Sequence, residues 1–182
     1  MNVLITGSNG FIGKNLKISL EKLKRFNIID FNREHSEEDL LIAVKKAEII
    51  VHLAGENRPE NNEAFEETNH MLTKKICKFC SEKDTKTHII FSSSIQAGND
   101  SQYGKSKLAA EEELLKLKNN SANFVNIFRF PGVFGKWCKP NYNSVVATFC
   151  NNVANNLPIE IKDKSNKLNL VYIDDLVDQI LE

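Results

Sequence analysis

Short runs of Val, Ile and Phe alternate along the chain with longer segments whose apolar positions recur at helical spacing. The runs are Val3 to Ile5, Ile28 to Phe31, Ile49 to Leu53, His88 to Phe91 and Val125 to Phe128. Between most of them lie Phe11 to Leu23, Glu37 to Lys46, Ala64 to Ser81 and Gln102 to Leu117, each with the period of an amphipathic helix. A parallel strand buried on both faces reads as a continuous apolar run, and a helix usually carries the chain back to the next one. The alternation therefore predicts βαβ units and an α/β fold, a doubly wound parallel sheet with helices on both faces. Towards the end, Asn143 to Asn155 reads as a helix, Leu168 to Tyr172 as a strand and Asp174 to Glu182 as a helix that stops abruptly, so the protein is expected to continue further.

With 182 residues the chain is long enough for one domain with a real core and short for two, so residues 1–182 are expected to form a single domain. Lys plus Arg and Asp plus Glu are equal at 24 each, which removes the long-range positive field of a nucleic-acid binder and leaves any anionic ligand to be held locally. No secretory signal core and no apolar run of about 20 residues is present, which points to a cytoplasmic protein without a membrane partner. Cys77 and Cys80 fall inside a helical segment, and Cys138 and Cys150 lie far apart in sequence. No second ligand pair accompanies the Cys-x-x-Cys, so no metal site is expected and the thiols read as buried or idle.

Residues 3 to 16 run from a strand through Gly7, Gly10 and Gly13 straight into a helix. Gly7 allows the tight turn, Gly10 lets a diphosphate approach the backbone, and Gly13 lets helix and strand pack closely. The amides of the loop and first helical turn, from Asn9 through Phe11 and Ile12, then face phosphate. The strand-loop-helix setting makes this a Rossmann-type dinucleotide site. The next strand ends around Asp30, Phe31, Asn32 and Arg33. An acid there favours the ribose hydroxyls of NAD and an arginine favours the 2′-phosphate of NADP. Both residue types are present, and the reading adopted is NADP (NADPH) through Arg33, with NAD the lesser alternative.

After the strand at Phe91 come Ser92, Ser93 and Ser94, and then Tyr103 and Lys107 stand four apart in a helical segment. That spacing puts phenol and ammonium on one helix face. A phenol with a reference pKa of about 10 exchanges protons poorly near neutrality, and a neighbouring cation lowers it. Tyr103 is therefore expected to pass a proton to a ketone oxygen with Lys107 tuning it, while a serine hydroxyl, assigned to Ser94, holds that oxygen. The link from Ser94 to Tyr103 is only nine positions, which leaves the choice among the serines open.

The Gly-x-x-Gly-x-x-Gly spacing, the serine run and the Tyr-x-x-x-Lys pair, in that order, resemble the short-chain dehydrogenase/reductase (SDR) superfamily. ValHisLeuAlaGly at 51 to 55, Asn69, ArgPheProGlyValPheGly at 129 to 135 and TyrIleAspAsp at 172 to 175 resemble its extended branch, the NAD-dependent epimerase/dehydratase family. The resemblance implies cofactor contacts at Leu53, Ala54, Gly55, Phe130 and Val133, and a homodimer. On the residues alone, His52 could equally be a satisfied strand-end histidine and Asp174 a helix N-cap.

HisLeuAlaGlyGluAsnArgPro at 52 to 59 and the segment from Gly135 to Cys150 are more specific, and look like the reductase domain of CapF-type capsular polysaccharide enzymes. The resemblance implies NADPH-dependent reduction of the C4 ketone of a UDP-linked 2-acetamido-2,6-dideoxy-hexos-4-ulose, on the route to UDP-N-acetyl-L-fucosamine. Substrate contacts are expected at Asn57, Arg58, Lys136 and Asn141, where cations and amides suit a UDP-sugar; a solvated loop is the competing reading. In that family a cupin domain performs a preceding epimerisation. This chain carries no cupin and is expected to be truncated within the SDR domain, so epimerisation is not carried over. An NAD-retaining epimerase or dehydratase is the alternative. A non-catalytic NAD(P)-binding relative is disfavoured, because it has no need to keep Tyr103, Lys107 and the serines together.

Overall fold

In the computed structural model, which describes residues 1–59, 61–161 and 163–182, the apolar runs become five strands of one sheet. They are β1 (Asn2–Thr6), β2 (Asn27–Phe31), β3 (Ile49–His52), β4 (His88–Ser94) and β5 (Phe124–Phe130), in the order β2-β1-β3-β4-β5. The sheet is parallel and doubly wound, with helices on both sides, as the alternation predicted. It has one strand fewer on the β2 side than the six-stranded order 3-2-1-4-5-6. The chain leaves β1 to one side for β2 and returns on the other for β3, so the crevice beyond the carboxyl ends of β1 and β3 is the expected ligand position.

The connecting helices are α1 (Phe11–Leu23), α2 (Glu37–Lys46), α3 (Glu63–Phe65), α4 (Leu72–Ser81) and α5 (Gln102–Asn120). Leu4, Ile50, Ile89 and Phe91 of the sheet pack with Leu40, Val44, Ile76, Ala110 and Leu114 of the helices in one buried core. Each of the Leu, Ile, Val and Phe side chains contributes about 1.5–3 kcal/mol on full burial. Sequence-local chemistry sets the ends of the helices. Ser36 and Asp39 form a reciprocal capping box at the start of α2, and the Ser101 hydroxyl accepts the Gly104 amide at the start of α5. At the other end of α2 the Lys83 ammonium donates to the carbonyl oxygens of Val44 at 3.1 Å and Ala47 at 2.6 Å, and to the Thr87 hydroxyl at 2.8 Å.

Cα packing separates the chain into two compact units, Met1–Arg129 and Phe130–Glu182. The second unit holds a parallel pair, β6 (Gly132–Phe134) and β7 (Leu170–Tyr172), with α6 (Val145–Ala154) and α7 (Ile173–Leu181). The three-residue β6 has no periodicity to read and is not anticipated by the sequence. Tyr172 is the N-cap of α7, so Asp174 lies in its first turn beside Asp175 and is not the cap, though both acids suit the positive end of a helix.

Two further boundaries depart from the sequence reading. The serine run belongs to β4, which continues through Ser94 instead of stopping at Phe91. The helix expected from Ala64 to Ser81 is interrupted by a π-helical segment, Glu66–Met71, between α3 and α4. Among the described residues no helix is long and apolar enough to cross a membrane.

Candidate active site

The glycine loop joins β1 to α1. Gly7 has φ +71, a region that penalises a side chain, and a Cβ there would lie 2.8 Å from the Ala54 nitrogen. A Cβ on Gly13 would come within 2.4 Å of the Gly7 carbonyl oxygen. Both glycines are required by the fold itself. Gly10 differs: it is exposed, has φ −75, and a Cβ there would meet only the Gly7 oxygen at 3.1 Å. As N-cap of α1 it provides no side-chain hydrogen bond, and the first turn, Phe11 to Lys14, contains no acid. The positive end of a 13-residue helix thus opens beside a bare Cα, a cradle that fits a dinucleotide diphosphate. The Asn9 amide is already occupied, donating to Asn32 Oδ1 at 3.1 Å.

Beyond the carboxyl end of β3, buried polar groups fix the loop Leu53-Ala54-Gly55. The Leu53 amide donates to the Thr6 carbonyl oxygen at 3.2 Å, and the Ala54 amide to the Thr6 hydroxyl at 3.1 Å. Buried His52 sets its Nδ1 at 2.6 Å from Thr6 Oγ1 and its Nε2 at 2.9 Å from Thr73 Oγ1, and Thr73 donates to the Asn69 carbonyl oxygen at 2.7 Å. Because the Thr73 hydrogen is used on Asn69, His52 must donate through Nε2 and accept through Nδ1. His52 is therefore a satisfied, neutral core histidine; burial, with Lys107 nearby, pushes its pKa down to about 3.

Asn69 sits in the π-helical segment and is almost fully buried. Its Oδ1 accepts the Glu56 amide at 2.8 Å, while its Nδ2 donates to the Glu56 carbonyl oxygen at 2.9 Å and to Ser106 Oγ at 3.0 Å. A Cβ on Gly55 would lie 3.0 Å from Asn69 Oδ1 and 3.1 Å from Lys107 Nζ, so this glycine lets the ammonium approach the loop. Asn57 and Arg58 follow at an exposed bend.

The three serines of β4 have separate partners. Ser92 offers its carbonyl oxygen to Lys107 Nζ at 2.9 Å, Ser93 donates its hydroxyl to Glu111, and Ser94 lies near enough to the Tyr103 hydroxyl to favour its ionised form. The Ser94 hydroxyl also accepts the Gln96 amide at 3.1 Å. The short link works because the chain from Gln96 to Ser101 folds tightly on the start of α5. Gly98 donates to the Gly104 carbonyl oxygen at 3.1 Å, and a Cβ on Gly104 would sit 2.4 Å from the Gln96 oxygen. The Tyr103 ring tilts against Phe65 with centroids 6.0 Å apart.

The charge balance corrects one expectation. Burial raises the Tyr103 pKa, opposed by nearby Ser94, so the predicted lowering by Lys107 is not what governs it here. Lys107 is 4% exposed, and burial pulls it down to about 8 against the favourable charge of Glu111. Glu111 in turn accepts from Arg129 Nε at 3.0 Å and Nη2 at 2.6 Å. Glu111, Arg129 and Ser93 were not singled out from the sequence, although Glu111 follows Lys107 by the same four-residue step that separates Lys107 from Tyr103.

At the end of β2, Asp30 is ion-paired with Lys17 at 2.5 Å, and Arg33, in the loop beyond, pairs with Glu56. In the second unit, Val133 lies in β6 and Phe130 ends β5 at the unit boundary. Lys136 is exposed with its ammonium 4.1 Å from the Trp137 ring centre, and exposed Asn141, at φ +54, donates its amide to Thr148 Oγ1 at 2.9 Å. Cys77 and Cys80 are buried in α4, where burial pushes the thiol pKa values up to about 12 and about 11, while Cys138 is partly buried and Cys150 exposed.

A model of the NAD dependent epimerase/dehydratase family matches residues 3–182. A UDP-2-acetamido-2,6-beta-L-arabino-hexul-4-ose reductase of Pseudomonas aeruginosa is 45% identical over 177 residues, 97% of this chain and 48% of that protein. The chain thus spans about half the length of this curated relative. The crystal structure of the capsular polysaccharide assembling protein CapF from Staphylococcus aureus matches all of this chain and 48% of its own, with a TM-score of 0.85 at 41% identity. UDP-glucuronic acid 4-epimerase from Bacillus cereus, in complex with NAD, shares the fold with a TM-score of 0.86 at 18% identity, over 100% of this chain and 71% of that one.

Proposed function

The chain belongs to the NAD dependent epimerase/dehydratase family, and on that premise we propose that it serves the NADPH-dependent reduction of a C4 ketone on a UDP-linked 2-acetamido-2,6-dideoxy-hexos-4-ulose. The observation that carries this reading is the bond from Lys107 to the Ser92 carbonyl oxygen, which sets the helix bearing Tyr103 and Lys107 against the serine end of β4. The Pseudomonas relative, named as a UDP-sugar reductase, supplies the substrate class.

A bound nicotinamide would supply hydride to the carbonyl carbon. Tyr103 gives its proton to the carbonyl oxygen, so the C=O becomes CH–OH and the tyrosine is left as phenolate. Burial keeps Tyr103 in the protonated form that this direction requires. Ser94 donates to the same oxygen, and the ammonium of Lys107, on the same face of α5, stabilises the phenolate until a proton returns.

For the cofactor we assign the diphosphate to Gly7, Asn9, Gly10, Phe11, Ile12 and Gly13, the adenosine side to Leu53, Ala54 and Gly55, and the 2′-phosphate to Arg33. Asp30 is tied to Lys17 through Oδ2, and the NADPH choice rests on Arg33 in the loop beyond β2. Asn57 and Arg58 are assigned to substrate. Phe130 and Val133, for cofactor, and Lys136 and Asn141, for substrate, keep their roles on sequence resemblance alone.

The test is a fluorescence titration with NADPH and NADH, followed by addition of a UDP-4-keto-6-deoxy-N-acetylhexosamine while nicotinamide absorbance is recorded. NADPH binding with substrate-dependent oxidation, lost in Tyr103→Phe while binding persists, is the expected result. Failure to bind either cofactor would overturn the reading.

A further inference from the structure

Arg33 lies two residues past the end of β2 and Glu56 four residues past the end of β3, with β1 between those strands. Their ion pair therefore passes over the carboxyl end of β1, where the glycine loop begins. The partners are unequal: the Arg33 side chain is 81% exposed and that of Glu56 13%. Glu56 is also anchored, because the buried Asn69 carboxamide holds both its amide and its carbonyl. The carboxylate is thus a fixed post, and the guanidinium reaches it from an exposed arm.

An exposed guanidinium gains little from one carboxylate across water, and more from a phosphate that takes two of its N–H groups at once. We propose that Glu56 is a specificity-determining residue, whose carboxylate holds Arg33 across the crevice and competes with the 2′-phosphate of an NADP-type dinucleotide for the guanidinium. This rests on the assignment of Arg33 made above. A 2′-phosphorylated ligand exchanges one anion for another at Arg33 and leaves the largely buried Glu56 carboxylate without its cation. A ligand without that phosphate has nothing to offer in the exchange. Asp30 is paired through Oδ2 with Lys17 and not with Arg33. Glu56 accordingly holds affinity for phosphorylated cofactor below what Arg33 alone would give.

The experiment is an equilibrium titration of the whole chain with NADPH, NADH and adenosine 2′,5′-bisphosphate, in wild type, Glu56→Gln, Arg33→Ala and the double variant, with folding checked by thermal melts. Glu56→Gln should tighten NADPH and the bisphosphate by roughly 2- to 5-fold and leave NADH unchanged. That gain should vanish in the Arg33→Ala background. If Arg33→Ala weakens NADPH but Glu56→Gln does nothing, the assignment of Arg33 stands and the competition is wrong. If Arg33→Ala has no effect, the assignment itself falls and the proposal with it. If Glu56→Gln weakens NADH, Glu56 is a ribose ligand and the proposal is overturned.

Discussion

The ammonium of Lys107 donates to the carbonyl oxygen of Ser92 at 2.9 Å, which ties the start of the serine run to the helix that carries Tyr103. The bond registers α5 against β4 and brings Ser94, two residues on, towards the tyrosine. It also takes a charge out of water, beside Phe91, whose ring centre lies 4.9 Å away.

That burial has a measurable sign. Lys107 is lowered from 10.5 to about 8 in the folded chain. Between those values the unfolded chain holds a proton that the folded chain has released, so this residue makes stability rise with pH, by at most about 1.4 kcal/mol per pH unit. Lys107→Met lacks the contribution. Urea unfolding of both proteins from pH 8 to pH 10 should show wild type gaining on the variant; a constant difference would show that the ammonium is not desolvated.

His52 gives the same test at the acid end. Its pKa falls from 6.5 to about 3, so below pH 6.5 the unfolded chain takes a proton that the folded one refuses. The stability linked to His52 is complete above pH 6.5 and is lost as pH drops towards 3, again at up to about 1.4 kcal/mol per unit. Its ring resonances should not shift in an NMR titration from pH 8 to pH 5. A shift near pH 6.5 would mean that the Thr6 and Thr73 contacts do not hold it neutral.

The glycines of the loop should separate folding from binding. Gly13→Ala puts a Cβ 2.4 Å from a carbonyl oxygen, against backbone that cannot yield, and is expected to lower the melting temperature by several degrees or more. Gly10→Ala meets only one oxygen at 3.1 Å and should fold nearly normally, yet its methyl stands where the diphosphate must approach. Cofactor affinity is expected to fall about tenfold or more at Gly10, by the loss of ~1.4 kcal/mol. Equal melting losses for the two variants would contradict this division.

These local features were legible because their chemistry is carried by spacing within one turn or one helix. Gly7, Gly10 and Gly13, and likewise Tyr103 and Lys107, are near neighbours in sequence, so their geometry follows from a single element. What the sequence could not show depends on strand order. The Arg33 and Glu56 contact needs β1 to lie between β2 and β3, and the Arg129 and Glu111 contact needs β5 beside α5. The extension of β4 through Ser94 escaped because serine has no strand preference to read, and tertiary burial decided it. The expected lowering of the Tyr103 pKa counted a neighbouring charge and left out desolvation, which is the larger effect.

Glu111 completes the ladder that begins at Tyr103, one turn beyond Lys107, and it is buried while Arg129 is half exposed. Removing the carboxylate leaves a guanidinium that can turn to water; removing the guanidinium leaves a buried anion with the Ser93 hydroxyl and distant Lys107. Breaking such a pair from the exposed side is the more damaging change. Arg129→Leu should therefore lower the melting temperature more than Glu111→Gln does. The folded pKa of Glu111 is depressed chiefly by Arg129 and Ser93 acting against burial, so its contribution is present above the usual carboxylate range and lost on acidification. Arg129→Leu should accordingly unfold at a higher pH in an acid titration. Glu111→Gln has a second effect, since its charge is what opposes the desolvation of Lys107. In that background the rise of stability linked to Lys107 should begin below about pH 8. If both variants lose the same stability and the Lys107 window does not move, Glu111 is only a link between α5 and β5, without electrostatic reach into the proton-transfer site.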